Sequence, residues 1–157
     1  MIFPQASGTN LLRQKLTLPD DLQGEINILL IAFQQWQQAS VDSWVPRLRT
    51  LEQTNPSVRF YELPVIYKMN FLSQTFLNEG MRAGIPNPAT RAKTITLYLD
   101  KSKFRRALAI PNEDAIVIMV IDRSGNIIWR SAGTYSEEKG AELLQAIREF
   151  SGDAQVF

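Results

Sequence analysis

Apolar residues along the chain form runs that alternate between the period of buried strands and the period of amphipathic helices. Ile26–Phe33 and Ala115–Ile121 are continuous apolar runs rich in isoleucine, which is typical of strands buried on both faces of a sheet. Apolar positions recur at helical spacing from Ser40 to Glu52 and from Tyr67 to Arg82. These periods predict parallel βαβ units.

Shorter segments complete the first two thirds of the pattern. Val58–Leu63 is predicted as a second strand closed by Pro64, and Thr94–Leu99 as a third strand at an edge of the sheet. Residues 83–89 contain one glycine and two prolines and are predicted as a loop. A short basic helix is expected at residues 102–110.

The last third of the chain predicts a β-hairpin followed by a closing helix. Asp122 to Gly125 has the composition of a turn, Ile127–Arg130 returns as the second arm, and Ser136 opens a helix that runs to Phe150. The fold class is therefore α/β, a mixed sheet flanked by helices with a C-terminal hairpin and closing helix, in a single domain over residues 1–157. We expect one core that contains Leu29, Ile31, Ile118, Val120 and Leu144.

Composition removes several kinds of chemistry. The 157 residues are 45% hydrophobic and carry a net charge of +1, so the total charge does not single out a nucleic acid or a membrane as partner. The sequence has no cysteine and no histidine. This excludes protein thiol nucleophiles, disulfide exchange and imidazole catalysis, and it removes the usual ligands of zinc. We expect no catalytic residue, no metal and no cofactor, although an all-carboxylate site stays open.

The start of the chain, MIFPQASGTN, lacks the basic and apolar regions of a signal peptide. The longest apolar run, Ala115–Ile121, is too short to span a bilayer. We therefore expect a cytoplasmic protein, with peripheral contact to a membrane as a further expectation.

The order of elements and the closing segment DRSGNIIWRSAGTYSEEKGAELLQAI resemble the thioredoxin-like superfamily. Its redox-active members place a reactive pair just after the first central strand, beside a tryptophan, and a cis-proline before the hairpin. By this resemblance the tryptophan corresponds to Trp36, the reactive pair to Gln37 and Ser40, and the proline to Ile116. The resemblance implies that the fold around the former redox site is kept, although no residue there can carry out thiol chemistry.

A narrower resemblance covers residues 94–147, where TITLYLD, KSKFRRALAIP and DRSGNIIWRSAG occur in order. This part is similar to the mitochondrial ATPase assembly factor ten family. The shared features fall on Thr96, Tyr98, Asp100, Asp122, Gly125, Ile128, Trp129 and Gly133. The family implies a thioredoxin-like chaperone that helps a membrane subunit join the ATP synthase membrane sector. The chain shows no mitochondrial presequence, which leaves the organelle and the client open.

Basic residues are concentrated before the predicted hairpin. Seven of the 17 lysines and arginines fall within 25 residues: Arg82, Arg91, Lys93, Lys101, Lys103, Arg105 and Arg106. A solvated face explains such a stretch, and the alternative is an anionic partner, either acidic lipid headgroups or an acidic protein segment. Nucleic acid is disfavoured because few aromatic residues are interleaved. The candidate partner-binding residues are Lys101, Lys103, Arg105, Arg106 and Trp129.

The three tryptophans have different expected environments. Trp44 lies on the apolar face of the first helix and is predicted to be in the core. Trp36 is predicted to pack under the sheet or to cap the helix, with an exposed binding position as its alternative. Strand alternation places Trp129 on the face opposite Ile128, where it would be partly exposed.

Two hypotheses of function follow. The first is a non-enzymatic, cysteine-free thioredoxin-like protein that binds a protein client, such as a membrane subunit, as an assembly factor or chaperone. The second is a degenerate thioredoxin or peroxiredoxin relative that binds a small ligand in the former active-site groove between Phe33 and Ser40.

Overall fold

The structure is a computed structural model that describes residues 1–69 and 71–152. The strands of this part of the chain are β1 (Ala6–Asn10), β2 (Lys15–Leu18), β3 (Ile26–Ala32), β4 (Val58–Tyr67), β5 (Ile95–Leu99), β6 (Val117–Asp122) and β7 (Ile127–Ala132). The helices are α1 (Gln38–Thr54), α2 (Phe71–Gly84), α3 (Pro88–Lys93), α4 (Lys101–Ala107) and α5 (Glu137–Ser151).

The strands form one mixed sheet in the order β2-β1-β5-β4-β3-β6-β7. β3, β4 and β5 are parallel to one another, whereas β6 pairs antiparallel with β3 and the β6–β7 hairpin closes that side. The α/β class, the hairpin and the closing helix predicted from the sequence are confirmed.

Side chains of the central strand β3 alternate between two cores on opposite faces of the sheet. Leu29 and Ile31 lie in the first core, which α4 and the N-terminal segment cover. Ile28 and Leu30 lie in the second core, which α1 and α5 cover. The expectation of one shared core is wrong, because strand alternation sends Ile118 and Val120 to the second face, with Leu144 packed against it.

An N-terminal hairpin, β1–β2, was not predicted, and it changes the position of β5. β1 pairs with β5, so β5 lies inside the sheet and the expectation of an edge strand is wrong. Gly8 makes this pairing possible: a Cβ at this residue would come within 2.7 Å of side-chain atoms of Ile95 and Leu97. β4 also continues past Pro64 to Tyr67, because its last three residues find partners in β5.

The β6–β7 hairpin contains a bulge at Ile128. Val120 pairs with Trp129 and Ile121 with Ile127, so Ile128 is the extra residue. Ile128 and Trp129 consequently both pack, partly buried, against the second core. The prediction that they lie on opposite faces is wrong, because the bulge interrupts the alternation.

The two cores give a first prediction. Leu29→Ala and Ile118→Ala should each lower the free energy of unfolding by about 2–5 kcal/mol, because each leaves a cavity in a closed core. The two side chains lie on opposite faces of adjacent strands, so the double variant measures how strongly the two cores are coupled. Chemical denaturation measures all three values. A loss below about half a kcal/mol at both sites would contradict the assignment.

Candidate functional site at the carboxyl edge of the parallel strands

Three parallel strands end at one edge of the sheet. β3 ends at Ala32, β4 at Tyr67 and β5 at Leu99. In open α/β sheets, ligand sites usually form outside the carboxyl ends of the strands. The segment Phe33–Ser40, which we call the junction, lies at this edge and contains a 3₁₀ turn at Gln35–Gln37.

Gln37 organises the junction. Its side chain is buried, and its Oε1 accepts hydrogen bonds from the backbone N–H of Phe33 at 2.9 Å and of Gln34 at 3.2 Å. Its Nε2 donates to the carbonyl oxygen of Glu113 at 2.6 Å. Gln37, matched by resemblance to a reactive residue, therefore joins the turn after β3 to the loop before β6.

The carboxylate of Glu113 contacts three further side chains beside the junction. Its Oε1 accepts from Gln34 Nε2 at 2.7 Å and from Lys101 Nζ at 3.1 Å, and its Oε2 lies 3.4 Å from Arg105 Nε. Lys101 also donates to the carbonyl oxygen of Phe33 at 2.7 Å. A buried ammonium is stable only when it is paired and hydrogen-bonded, and Lys101, only 6% exposed, has both kinds of contact.

Most of the basic stretch has an intramolecular role. Lys93 pairs with Glu52 and donates to a backbone carbonyl, and Arg91 donates to two backbone carbonyls. The prediction that Lys101 is part of an exposed partner surface is wrong, because its side chain is buried. The sequence could not show this burial, since the carboxylate that pairs with Lys101 belongs to Glu113, 12 positions away. Arg105 is half-buried and bonded to the carbonyl of Pro111.

Two members of the stretch remain on the surface. Lys103 and Arg106 are exposed on α4, three positions apart and therefore on one side of the helix. Asp100 caps this helix by accepting from the backbone N–H of Lys103 at 3.1 Å. α4 begins directly after β5, so its first turn lies at the carboxyl edge.

Large apolar side chains are exposed along this edge. Trp36 is 67% and Tyr67 60% exposed, and the Tyr67 ring centroid lies 5.0 Å from Lys101 Nζ. The prediction that Trp36 packs under the sheet or caps the helix is wrong, because Gln37 takes the inward position of the 3₁₀ turn and Trp36 faces outward.

α2, which follows β4, carries two more exposed apolar side chains. Its inner side contacts the sheet, since Gln74 accepts from Tyr98 Oη at 3.2 Å and Asn78 Nδ2 donates to a β1 carbonyl at 3.3 Å. Leu72 and Phe76, one turn apart, are 78% and 84% exposed. We call Trp36, Tyr67, Leu72 and Phe76 the apolar rim. Sequence reasoning missed three of its members because Leu72 and Phe76 share the helical period of a core-facing stripe and Tyr67 ends an apolar strand.

The remaining positions matched to a redox site have structural roles. Ile116 is fully buried in the second core, and its carbonyl accepts from the backbone N–H of Gly133 at 2.9 Å. Ser40 Oγ lies 3.0 Å from Thr134 Oγ1. Within the described residues the cis peptide bond joins Leu18 and Pro19, in the loop after β2.

One carboxyl group beside the junction has a shifted pKa. Burial on β4 raises the pKa of Glu62; a hydrogen bond from Gln38 Nε2 at 3.3 Å opposes this shift, and the neighbouring Asp42 adds to it. Among the described residues no three acidic side chains lie close enough together to hold a metal ion. No helix in the described ranges has the length and apolar character to cross a membrane.

Solved structures with similar folds define the class. A pneumococcal exposed lipoprotein thioredoxin, Etrx1, from Streptococcus pneumoniae has 11% identity and a TM-score of 0.60, over 93% of this chain and 99% of that one. Arabidopsis thaliana ScoI, solved with copper bound, has 13% identity and a TM-score of 0.61 over 95% and 99%. A thiol:disulfide interchange protein from Bacteroides sp. has 15% identity and a TM-score of 0.55 over 98% and 90%. The fold is thioredoxin-like.

The family follows from a match over almost the whole length. Residues 1–150 match the family described as ATP10 protein, and no curated protein matches significantly. The chain belongs to this family of ATPase assembly factors and is a member without cysteine. The resemblance drawn from residues 94–147 is thereby confirmed and extended to the first half of the chain.

The contacts of Gln37 give a prediction about the junction. Gln37→Ala should lower the free energy of unfolding by about 1–3 kcal/mol, because it leaves buried backbone groups without partners. The matched control is Gln35→Ala, an exposed residue of the same turn, which should change stability by less than about half a kcal/mol. Denaturation of both variants measures the difference. Equal free energies of unfolding for the two variants would show that the Gln37 side chain does not stabilise the junction.

The raised pKa of Glu62 gives a prediction about pH. Between the ordinary glutamate pKa of 4.5 in the unfolded chain and the higher pKa in the folded state, the folded state binds more protons, so stability falls as pH rises through this window. Glu62→Gln should therefore be more stable than the parent at pH 7, and the gain should shrink as pH drops to 4. Thermal unfolding from pH 4 to 8 measures it, with the exposed Glu25→Gln as control. A gain that does not vary with pH would refute the burial effect.

Proposed function

We propose that this protein is a non-enzymatic assembly factor that binds an apolar segment of an ATP synthase membrane subunit through the apolar rim. The observation that supports this best is the exposure of four large apolar side chains on the segments that follow β3 and β4. We infer that these four side chains form one contiguous apolar surface, which is typical of a binding site. Aromatic residues in particular contribute most to binding at protein interfaces.

The thiol-free junction supports a binding role at this edge. The chain has no cysteine, and Gln37, which the resemblance matches to one of the reactive pair, is connected by a hydrogen bond to Glu113. This network fixes the turn that presents Trp36 and, through Lys101, the region of Tyr67. A surface fixed before binding loses less conformational entropy when a client docks.

Charge next to the apolar rim favours a client at a membrane surface. Lys103 and Arg106 are exposed on α4, which starts at the same edge. Lysine and arginine near a bilayer are attracted to acidic lipid headgroups and to acidic loops of membrane proteins. We therefore expect the protein to meet its client at the membrane surface by peripheral contact, from the cytoplasmic side.

The alternative function, a small ligand in the groove between Phe33 and Ser40, has weaker support. The buried side chain of Gln37 accepts a hydrogen bond from the backbone N–H of Phe33 and donates one to the carbonyl of Glu113, in the loop before β6. A ligand in the former groove would have to displace it.

Paired substitution of the apolar rim tests the proposed function. Leu72→Ser with Phe76→Ser should reduce recovery of ATP synthase membrane subunits with the tagged protein by about tenfold or more, because two anchors that the client buries are lost. Stability should change little, since both side chains are exposed. The matched control is Phe150→Ser, an exposed aromatic on α5 outside the rim.

The same assay separates the contribution of Lys103 and Arg106 to client binding from that of the apolar rim. Lys103→Glu with Arg106→Glu should weaken recovery at low salt, and added salt should weaken recovery of the parent protein, because exposed charges are screened over a Debye length of about 8 Å at physiological ionic strength. Undiminished recovery by the Leu72/Phe76 variant, or an equal loss with Phe150→Ser, would refute the proposed function.

A further inference from the structure

The exposed face of α2 carries no charge. Its exposed positions hold two large apolar side chains, Leu72 and Phe76, and otherwise only serine, threonine, alanine and glycine. The charged residues of the helix, Glu79 and Arg82, are partly buried beside this face. A helix face that meets water usually carries charged and polar side chains, so the composition of this face is that of an interface.

Four residues of this face lie in one row along the helix. Leu72, Phe76, Gly80 and Gly84 are spaced four apart, so neighbours in the row are about 6 Å apart along the helix axis. Leu72 and Phe76 are 78% and 84% exposed. A Cβ atom at either glycine would meet no atom of the described residues within 4 Å. The row is therefore large in its first half and small in its second half.

The fold of a single chain does not explain glycine at position 80. Gly80 lies inside α2 with open space above its Cα atom, among the described residues. Glycine in the interior of a helix is less stable than alanine, because it loses more backbone freedom on folding. A glycine at such a position is useful where a second chain approaches the helix closely.

The row is complementary to a second copy of itself that runs in the opposite direction. When two α2 helices meet across a two-fold axis at the level of Asn78, Phe76 of one protomer lies opposite Gly80 of its partner. In the same register Leu72 lies opposite Gly84, and symmetry repeats both pairs. Rows of residues spaced four apart also pack together in the commonest class of helix pair. We propose that two copies of this protein form an antiparallel dimer through the exposed face of α2.

The dimer is expected to be weak. α2 has 14 residues and offers a strip about 21 Å long and 10 Å wide, well below the ~800 Å² per partner of a stable interface. The dimer covers Leu72 and Phe76 and dissociates readily to expose them. The evidence for the dimer is on α2 alone, whereas competition between dimer and client rests on the proposed function.

Sedimentation equilibrium of the full chain without a client tests the dimer. We expect the parent protein to show a monomer–dimer equilibrium at concentrations up to about 1 mM. Gly80→Phe should weaken association at least about tenfold, because two rings then meet where one ring met a glycine. Phe76→Gly combined with Gly80→Phe has the composition of the parent and again sets each ring against a glycine, so association should return. Phe150→Ser, outside the face, should leave association unchanged.

The outcomes separate the dimer from unspecific association and from client binding. An added ring strengthens unspecific apolar association, so tighter association of Gly80→Phe would overturn the proposal. A monomeric parent at about 1 mM, or no recovery in the double variant when circular dichroism shows it folded, would also overturn it. Either result leaves recovery of the client, measured separately, as the test of the proposed function.

Single cysteines measure the direction of the pair, because the chain has no cysteine of its own. Leu72→Cys protomers mixed with Gly84→Cys protomers should form disulfides between unlike protomers under mild oxidation. Leu72→Cys alone should form few, since antiparallel pairing keeps the two copies of this position about 18 Å apart along the axis, beyond the ~7 Å between Cα atoms that a disulfide spans. Disulfides between like protomers that form as readily as those between unlike protomers would contradict the antiparallel arrangement.

Discussion

The buried contact between Gln37 and Glu113 determines the geometry of the whole carboxyl edge. The amide of Gln37 bonds to the turn after β3 and to the loop before β6, and the carboxylate of Glu113 holds Gln34 and Lys101 beside it. Two of these side chains, Gln37 and Lys101, satisfy backbone groups that the end of a central strand would otherwise leave unpaired. The outward direction of Trp36 depends on this arrangement.

The hydrogen bonds of the junction have a structural rather than a chemical role. We propose that the amide of Gln37 takes the place that a reactive thiol has in redox-active thioredoxin-like proteins, since this chain has no cysteine. The overall fold is similar to thioredoxin-like structures over most of the chain. A thioredoxin-like scaffold with a polar, hydrogen-bonded junction and exposed apolar side chains is suited to binding, which agrees with membership of a family of assembly factors.

The sequence predicted the parts of the fold that depend on local patterns. It did not predict features that depend on contacts with residues distant in the chain. Apolar runs located β3 and β6 because both faces of these strands are buried. The position of β5 depended on the unpredicted N-terminal hairpin, and the buried state of Lys101 depended on Glu113. Exposure of Leu72 and Phe76 could not be predicted either, since periodicity shows that a helix has an apolar side but not whether another element covers it.

We propose that the apolar rim contacts a membrane subunit directly. The most direct test of this contact is site-specific photocrosslinking in cells that assemble ATP synthase, with a benzophenone amino acid in place of Phe76 or, as control, of Phe150. Both positions are exposed aromatics, so each substitution leaves the cores intact. The account predicts crosslinks to a membrane-sector subunit from position 76 and none from position 150. Crosslinks from position 150 alone, or from neither position while assembly proceeds, would contradict it.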